Sequence, residues 1–209
     1  MIVKLVDVKD VFATNAYFYI DEQTKHGFLI DPAAEPETLL NIIRDNNWVI
    51  EKMLITHGHF DHLGAVEKLH QTLGIDYFAH QNTKDYLQQG ELNLSAFCNR
   101  NICLTEAKYF NDEDEIILNA NRNVLLKVIH TPGHTPDSVV FYDKNNHIAF
   151  VGDTIFKGSI GATEYPGGNP KHLQQSILQK IFALPKETVL YSGHSEPTTV
   201  GAEKSRYNI

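Results

Sequence analysis

Four residues of metal-binding type lie within six consecutive positions, directly after a short apolar strand predicted over Lys52 to Thr56. The segment reads Thr56-His57-Gly58-His59-Phe60-Asp61-His62. Residues i and i+2 of an extended segment point the same way, so His57 and His59 can face one ion. Asp61 and His62 are expected to begin the next helix, where they can face a second ion. Imidazole and carboxylate ligands at this spacing suit zinc or a related transition metal.

Three further segments place a residue of the same type just past a predicted strand. His134 follows the strand that ends at His130, Asp153 follows Val151, and His194 follows Tyr191. Each has a glycine directly before it, which lets the backbone approach closely. The sequence therefore predicts four strand ends that offer ligands to one edge of a sheet.

The remaining chain alternates between strand and helix patterns. Strands are predicted at Ile2–Val8, Ala13–Ile20, Phe28–Ile30, Lys52–Thr56, Asp76–Ala79, Glu115–Leu118, Val124–His130, Ser138–Asp143, His147–Val151 and, as the final strand, Thr188–Tyr191. Helices are predicted at Glu37–Asn46, His62–Leu73, Thr83–Gln89 and Leu173–Phe182. The first three strands suggest an antiparallel meander. Two strand-rich halves with helices indicate an α/β layered fold, and 209 residues with 42% hydrophobic content fit one domain, residues 1–209.

Composition narrows the partners. A formal net charge of -8 repels phosphate backbones, so no nucleic acid is expected. No apolar segment approaches the ~20 residues of a membrane helix, and no signal peptide is recognised at the N-terminus. Cys98 and Cys103 are too few for a disulfide framework and are expected to be free thiols. These points favour a cytoplasmic protein with a small-molecule substrate; the oligomeric state is left open.

The pattern His57-x-His59-x-Asp61-His62, followed by His134, Asp153 and His194, resembles the metallo-β-lactamase superfamily. Four flanking strings look like the glyoxalase II-like hydrolases. They are Thr131-Pro132-Gly133-His134-Thr135, Gly152-Asp153-Thr154-Ile155-Phe156, Gly158-Ser159-Ile160-Gly161 and Pro197-Thr198-Thr199-Val200-Gly201-Ala202-Glu203-Lys204. The resemblance extends from about the second strand to the C-terminus.

This resemblance implies a four-layer αββα sandwich with the metal site at one end of the two sheets. It implies two divalent metal ions, zinc first, with iron and manganese as alternatives. The matching residues of the family hold one ion with His57, His59 and His134. They hold the other with Asp61, His62 and His194, and Asp153 matches the carboxylate that bridges the two.

The implied activity is that of a binuclear metal-dependent hydrolase. Two ions would lower the pKa of a bridging water, and the hydroxide would attack an acyl carbonyl of a thioester such as S-hydroxyacylglutathione. Asp61 would both ligate and orient that hydroxide, which makes it the catalytic candidate. The alternative is a mononuclear iron persulfide dioxygenase-like oxidoreductase on the same fold. A β-lactamase is disfavoured by the missing secretion signal, a nuclease by the charge, and a non-catalytic binding module by the seven filled ligand positions.

Three positions depart from the compact members of the family. The compact family members often carry Arg where this chain has Ala162, and they usually carry Gly where it has Asp137 and Ser195. These positions are not metal ligands, and the first two bear on the substrate rather than on the chemistry. The helical C-terminal domain of true glyoxalase II is not expected.

Other candidates are open to a structural explanation. Asp31 and Thr154 are candidates to orient the imidazoles, but we favour a helix cap or turn role for both. His130 is placed in core packing by the alternation of its strand. His26, His70, His80, His147 and His172 are expected to be structural or exposed. Lys157 and Tyr165 are either substrate contacts or surface loop residues.

Overall fold

The computed structural model describes residues 1–207, which form two six-stranded sheets, a small hairpin and five α-helices. The strands are β1 (Ile2–Lys9), β2 (Ala13–Ile20), β3 (His26–Ile30), β4 (Val49–Leu54), β5 (Tyr77–His80), β6 (Lys108–Phe110), β7 (Glu115–Ile117), β8 (Leu125–His130), β9 (Val139–Asp143), β10 (Ile148–Gly152), β11 (Ile155–Phe156), β12 (Ser159–Ile160), β13 (Val189–Ser192) and β14 (Thr198–Thr199). The helices are α1 (Pro36–Asp45), α2 (Val66–Leu73), α3 (Lys84–Gln88), α4 (Pro170–Ser176) and α5 (Val200–Arg206).

The first sheet has the strand order β1-β2-β3-β4-β5-β6, and the second has the order β14-β13-β10-β9-β8-β7. In the first sheet β1, β2 and β3 pair antiparallel, which confirms the predicted meander, while β3 to β6 pair parallel. In the second sheet β7 to β10 form an antiparallel run and β13 joins β10 in parallel. The short strands β11 and β12 form the separate hairpin.

Alternation along β2 shows how the sheets are covered on both faces. Tyr17 and Tyr19 are buried between the two sheets, where they meet Phe150 of the second sheet. Phe18 and Ile20, between and after them, point to the opposite face and belong to a second core cluster. Because side chains of a strand alternate between faces, the apolar run from Ala16 to Ile20 in β2 is buried on both sides.

Helices complete the outer layers. Leu39 of α1 and Leu69 of α2 pack in the cluster on the outer face of the first sheet. Leu173 of α4 and Val200 of α5 pack on the outer face of the second sheet with Val140 and its neighbours. The result is the four-layer αββα sandwich that the family resemblance implied, an α/β fold with three apolar layers between its four layers.

Two predicted helices have different boundaries in the structure. The helix predicted from His62 begins at Val66, because Phe60–His62 forms a separate turn of 3-10 helix closed by the His62 N–H donating to the His59 carbonyl at 3.1 Å. The helix predicted from Leu173 begins at Pro170, where the Asn169 side chain accepts from the two backbone N–H groups that follow the proline. Its second half is a π-helical segment, Ile177–Ile181.

The predicted final strand lies at Val189–Ser192 and is not the last element, since β14 and α5 follow it. The sequence analysis also missed β6, β11 and β12, each of two or three residues. Strands that short contain too little alternation to be recognised. Within residues 1–207, no helix combines the length and the apolar character required to cross a membrane.

Candidate metal centre

All seven predicted ligand positions lie at one end of the sandwich. His57 and His59 follow β4 of the first sheet, and Asp61 and His62 lie in the 3-10 turn after them. His134, Asp153 and His194 follow β8, β10 and β13 of the second sheet. The strand ends therefore belong to two sheets rather than to one edge of a sheet, and the candidate centre lies where the ends of both sheets meet.

The side chains form three groups whose ligand atoms lie within 4.8 Å of one another. The first ligand set is His57, His59 and His134, and the second ligand set is Asp61, His62 and His194. Asp153 groups with His57 and His62, and it lies between the two sets. Its Oδ1 atom is 3.5 Å from His62 Nε2, and its Oδ2 atom is 3.3 Å from His194 Nε2 and 3.7 Å from His134 Nε2.

Four of the five histidines are held by a hydrogen bond to their Nδ1 atom, which leaves Nε2 facing the centre. The partners are Thr56 Oγ1 for His57 (3.1 Å), Asp31 Oδ2 for His62 (2.9 Å), the Ala162 carbonyl for His134 (2.7 Å) and the Ala13 carbonyl for His194 (2.8 Å). Such a bond fixes the ring orientation and, with a carbonyl or carboxylate, the tautomer whose other nitrogen can bind a metal. His59 is the exception, since its Nδ1 atom lies 2.9 Å from His134 Nε2.

Asp31 orients His62, a role that the sequence analysis ranked below a helix cap or turn role. Its buried carboxylate accepts from the Thr56 backbone N–H at 2.8 Å, from Thr56 Oγ1 at 2.7 Å and from His62 Nδ1. The Thr154 hydroxyl forms a hydrogen bond with that of Thr131 at 3.0 Å, and within residues 1–207 it forms none with the five histidines of the centre.

Several polar atoms at the centre have no partner among residues 1–207. These buried atoms are His57 Nε2, His59 Nε2, His62 Nε2 and Asp153 Oδ1. Leaving a buried polar atom without a hydrogen bond costs free energy, and native proteins do so rarely. Imidazole nitrogens and carboxylate oxygens are also the donors that zinc and related ions prefer. These residues therefore fit a pair of divalent ions.

The two sets differ in charge before a metal binds. Burial lowers the pKa of His57 well below its usual value and that of His59 to about 3, so both rings are neutral donors. Burial also disfavours the charged forms of His62 and His194, but nearby carboxylates outweigh it. The charge of Asp153 raises the pKa of His62 well above its usual value, and a hydrogen bond to Asp153 raises that of His194 to about 10. Despite its burial, Asp153 has a pKa held well below its usual value by His62 and His194.

Gly152 illustrates why a glycine precedes a ligand position. It has a φ of +49°, in the left-handed region that side chains rarely adopt, and an added Cβ would lie 2.4 Å from Thr56 Oγ1. The absence of a side chain lets the end of β10 approach the segment after β4. This close contact brings the ligands of the two sheets together.

A cleft of about 360 Å³ opens onto the candidate centre. Apolar residues of the surrounding loops and strand ends line it: Phe12, Ala13, Phe60, Leu94, Phe156 and Ala162. Tyr165 also lines the cleft, whereas Lys157 pairs with Glu196 at 2.6 Å and does not. The sequence analysis missed the apolar lining, because isolated apolar loop residues carry no pattern. It also missed the orienting carbonyls of Ala13 and Ala162, which every residue possesses.

The six other histidines lie outside the three ligand groups within residues 1–207. His130 is half-buried, stacks on the ring of His80 with ring centres 4.4 Å apart, and bonds the Pro136 carbonyl through Nε2 at 2.7 Å. This agrees with a packing role rather than a ligand role. Asp137, one of the three departures from the family, is fully buried, and burial raises the pKa of its carboxyl group.

The fold and the site define a protein that can hold divalent metal ions between the ends of two sheets, and comparison with known proteins supplies the family. The sequence profile described as Metallo-beta-lactamase superfamily matches residues 10–194, and the chain belongs to that superfamily. Among curated relatives, the chain is similar to the hydroxyacylglutathione hydrolase GloC of Haemophilus influenzae, with 33% identity over 92% of this chain and 91% of that protein.

Solved structures give the same result. The B3 metallo-β-lactamase BLEG-1 superposes with a TM-score of 0.91 and 32% identity, over 98% of this chain and 97% of that one. TTHA1623, solved in a di-iron-bound form, superposes with a TM-score of 0.84 and 32% identity, over 96% of each chain. These relatives are near full-length matches, so the similarity covers the whole sandwich and not the metal-binding segment alone.

Proposed function

We propose that this protein is a binuclear metal-dependent hydrolase that cleaves thioesters of small molecules. The observation that carries the proposal is the convergence of three ligand groups, each with its ligand atoms within 4.8 Å, at the base of one cleft. Two ions held there by the first ligand set, the second ligand set and Asp153 would polarise a carbonyl and lower the pKa of water toward neutrality. Zinc is the first candidate, and the di-iron form of TTHA1623 makes iron the second.

The residues of the chain prepare the site for that chemistry. The hydrogen bonds to Nδ1 hold each of four imidazole rings in a fixed orientation, so the rings need little reorganisation when a metal ion binds. Asp61 Oδ2 lies 3.1 Å from His194 Nε2 and 3.4 Å from the Thr14 hydroxyl, which orient this carboxylate at the edge of the cleft. From there Asp61 can accept a hydrogen bond from the attacking water, which gives it the catalytic role.

The lining of the cleft favours a thioester over an amide. Apart from the proposed ligands, the phenol of Tyr165 is the only ionisable group among the lining residues that the structure describes. An amide nitrogen must be protonated before it can leave, and a dedicated general acid does that work in most amide hydrolysis. A thiol has a pKa of about 8.5, so it leaves as a thiolate without such an acid. The similarity to a hydroxyacylglutathione hydrolase supports S-hydroxyacylglutathione as the first substrate to assay.

The test is a panel of thioesters assayed with elemental analysis of the same preparation. We expect release of free thiol that stops after treatment with a chelator and returns on addition of zinc or iron. Undiminished turnover by chelated protein would overturn the proposal, and so would a fully metal-loaded protein that cleaves no thioester of the panel.

Two other activities are outcomes of the same experiment. Similarity to BLEG-1 favours a β-lactam as a second candidate substrate, which hydrolysis of a chromogenic lactam would reveal. The persulfide dioxygenase alternative requires a single iron and oxygen, and it predicts oxygen consumption with a persulfide. The two complete ligand sets favour the binuclear hydrolase over it.

A further inference from the structure

A second groove leads away from the candidate metal centre. We call it the apolar arm and define it by Phe12, Phe60, Leu94, Phe97, Tyr165 and Pro166. Cys98 and Glu164 complete its lining, and it encloses about 360 Å³. Four of these residues, Phe12, Phe60, Leu94 and Tyr165, also line the cleft over the metal centre. The cleft and the arm therefore adjoin each other along these four residues. Tyr165 lies at their junction, with its ring centre 5.7 Å from that of His59 in the first ligand set.

The arm exposes aromatic rings that a surface without a ligand would not favour. Phe97 is 73% exposed, Phe12 is 51% exposed and Tyr165 is 47% exposed. They belong to three separate loops, and the ring of Phe12 approaches that of Phe60 with centres 6.0 Å apart. A contiguous exposed apolar patch beside a polar site is typical of a ligand-binding groove.

The wall of the arm is held in a strained and well-anchored loop. Leu94 has a φ of +71°, an unfavourable conformation for a residue with a branched side chain. The fully buried Asn93 next to it donates to the carbonyls of Tyr86 and Ile102 and accepts from the Ser95 backbone N–H at 2.9 Å. The Asn93 carbonyl in turn accepts from the Phe60 backbone N–H at 2.9 Å. Strain kept in place by such bonds is common at binding sites, and here it fixes the shape of the groove.

Charge decides what the arm can take. Within the described part of the chain, Glu164 is the only charged side chain that lines the arm, and the cleft adds the carboxylates of Asp61 and Asp153 but no lysine or arginine. The common thiol carriers, glutathione and coenzyme A, bear carboxylates or phosphates, which Glu164 repels. An uncharged hydrocarbon pays no cost for desolvating a polar or charged group when it enters the arm. Its transfer out of water is favourable because it buries apolar surface.

We propose that the apolar arm binds the acyl group of the substrate, and that this group is a hydrocarbon chain or ring longer than a lactoyl group. The assignment rests on the proposed thioesterase function, because it places the scissile carbonyl at the metal centre and the acyl chain along Phe60, Tyr165 and Phe97. The charged thiol then leaves the cleft on the side away from the arm.

The experiment uses the zinc-loaded protein and one fixed thiol, glutathione, with acetyl, butyryl, hexanoyl and octanoyl groups. We expect kcat/KM to rise about fourfold per added methylene until the arm is filled. Phe97→Ala should flatten that rise, and because Phe97 is largely exposed the variant should fold. The matched control is Tyr109→Ala, which removes an exposed ring of strand β6 outside the arm and should leave the chain-length dependence unchanged.

A binding readout separates the two levels of the proposal. Octanoate, a product of the last substrate, should inhibit or bind the zinc-loaded protein more tightly than acetate, and Phe97→Ala should remove most of that difference. If thioesters are cleaved but kcat/KM is flat or falls with chain length, the arm assignment is wrong and the thioesterase proposal stands. If no thioester is cleaved but octanoate binding depends on Phe97, the arm is right and the thioesterase proposal is wrong. If kcat/KM rose for S-hexyl thioacetate but did not rise along the acyl series, the thiol part of the substrate would occupy the arm. That result would overturn the inference.

Discussion

Replacing Asp31 by asparagine should lower the affinity of the second ligand set for its metal ion. The affinity of the first ligand set should remain nearly unchanged. The Oδ2 atom of Asp31 accepts from both Thr56 Oγ1 at 2.7 Å and His62 Nδ1 at 2.9 Å, while Oδ1 accepts from the Thr56 N–H at 2.8 Å. An asparagine can keep only one acceptor oxygen. If its amide nitrogen takes the Oδ2 position, it faces the N–H of His62 and drives the proton of that ring to Nε2, the atom that should bind the metal.

The size of the effect follows from the loss of one orienting bond. Removing such a partner of a metal-binding histidine lowers metal affinity by about 10–100-fold, which is about 1.4–2.7 kcal/mol. The same change removes hydrogen bonds of a buried carboxylate, so the free energy of unfolding should fall by about 1.5–3 kcal/mol. The first ligand set does not contain His62, and its affinity should change much less.

The assay is a zinc titration of Asp31→Asn against a competing chromophoric chelator, with urea unfolding measured in parallel. Asp143→Asn is the matched control. Asp143 is equally buried and accepts from the Tyr19 hydroxyl at 2.6 Å, but it lies at the opposite end of the sheet from Asp153. The control should lose stability and keep both metal affinities. A folded Asp31→Asn protein with an unchanged second dissociation constant would refute the reasoning.

Three further predictions concern the same centre. Nearby carboxylates raise the pKa of His194 to about 10 and that of His62 above its usual value, so His194 is protonated at pH 7 and must lose its proton when zinc binds. Affinity for the ion held by the second ligand set should therefore fall as the pH falls, and calorimetry in buffers of different ionisation enthalpy should detect proton release. His134→Ala should lose the first ion, whereas His130→Ala should keep two ions by elemental analysis, and a loss of metal from the latter would make His130 a ligand after all. Gly193→Ala should lower metal content without unfolding the protein by circular dichroism, because its Cβ would lie 2.3 Å from Asp153 Oδ1; an unchanged metal content would show that the centre tolerates the displacement.

The sequence predicted the layered fold and all seven members of the cluster because both depend on local patterns. The continuous apolar run of β2 and the helical spacing in α1 and α2 are visible in the sequence, and they indicate a strand buried on both faces and helices buried on one. The residues of metal-binding type directly follow the carboxyl ends of strands. This shared position indicates that they lie at the same end of the sandwich. The sequence analysis wrongly assigned all the ligands to one sheet. β4 and β10 belong to different sheets, and this depends on strand pairing between segments far apart in the sequence.

Other features could not be read because they depend on the backbone or on contacts between distant loops. The Ala162 carbonyl orients His134 across 28 residues, and the Ala13 carbonyl orients His194 across 181 residues. Asp31 looked like a turn residue, and its φ of +47° agrees with that, but its side chain reaches the centre. The apolar arm combines one or two residues from each of four separate segments, which leaves no periodicity in the sequence.

The most direct test of the account is native mass spectrometry of the protein after metal removal and reconstitution with zinc or iron. Two complete ligand sets joined by Asp153 predict a species with two ions per chain, which His194→Ala should reduce to one. A protein that takes up a single ion at saturating metal, or none, would contradict the binuclear centre on which the proposed hydrolysis depends.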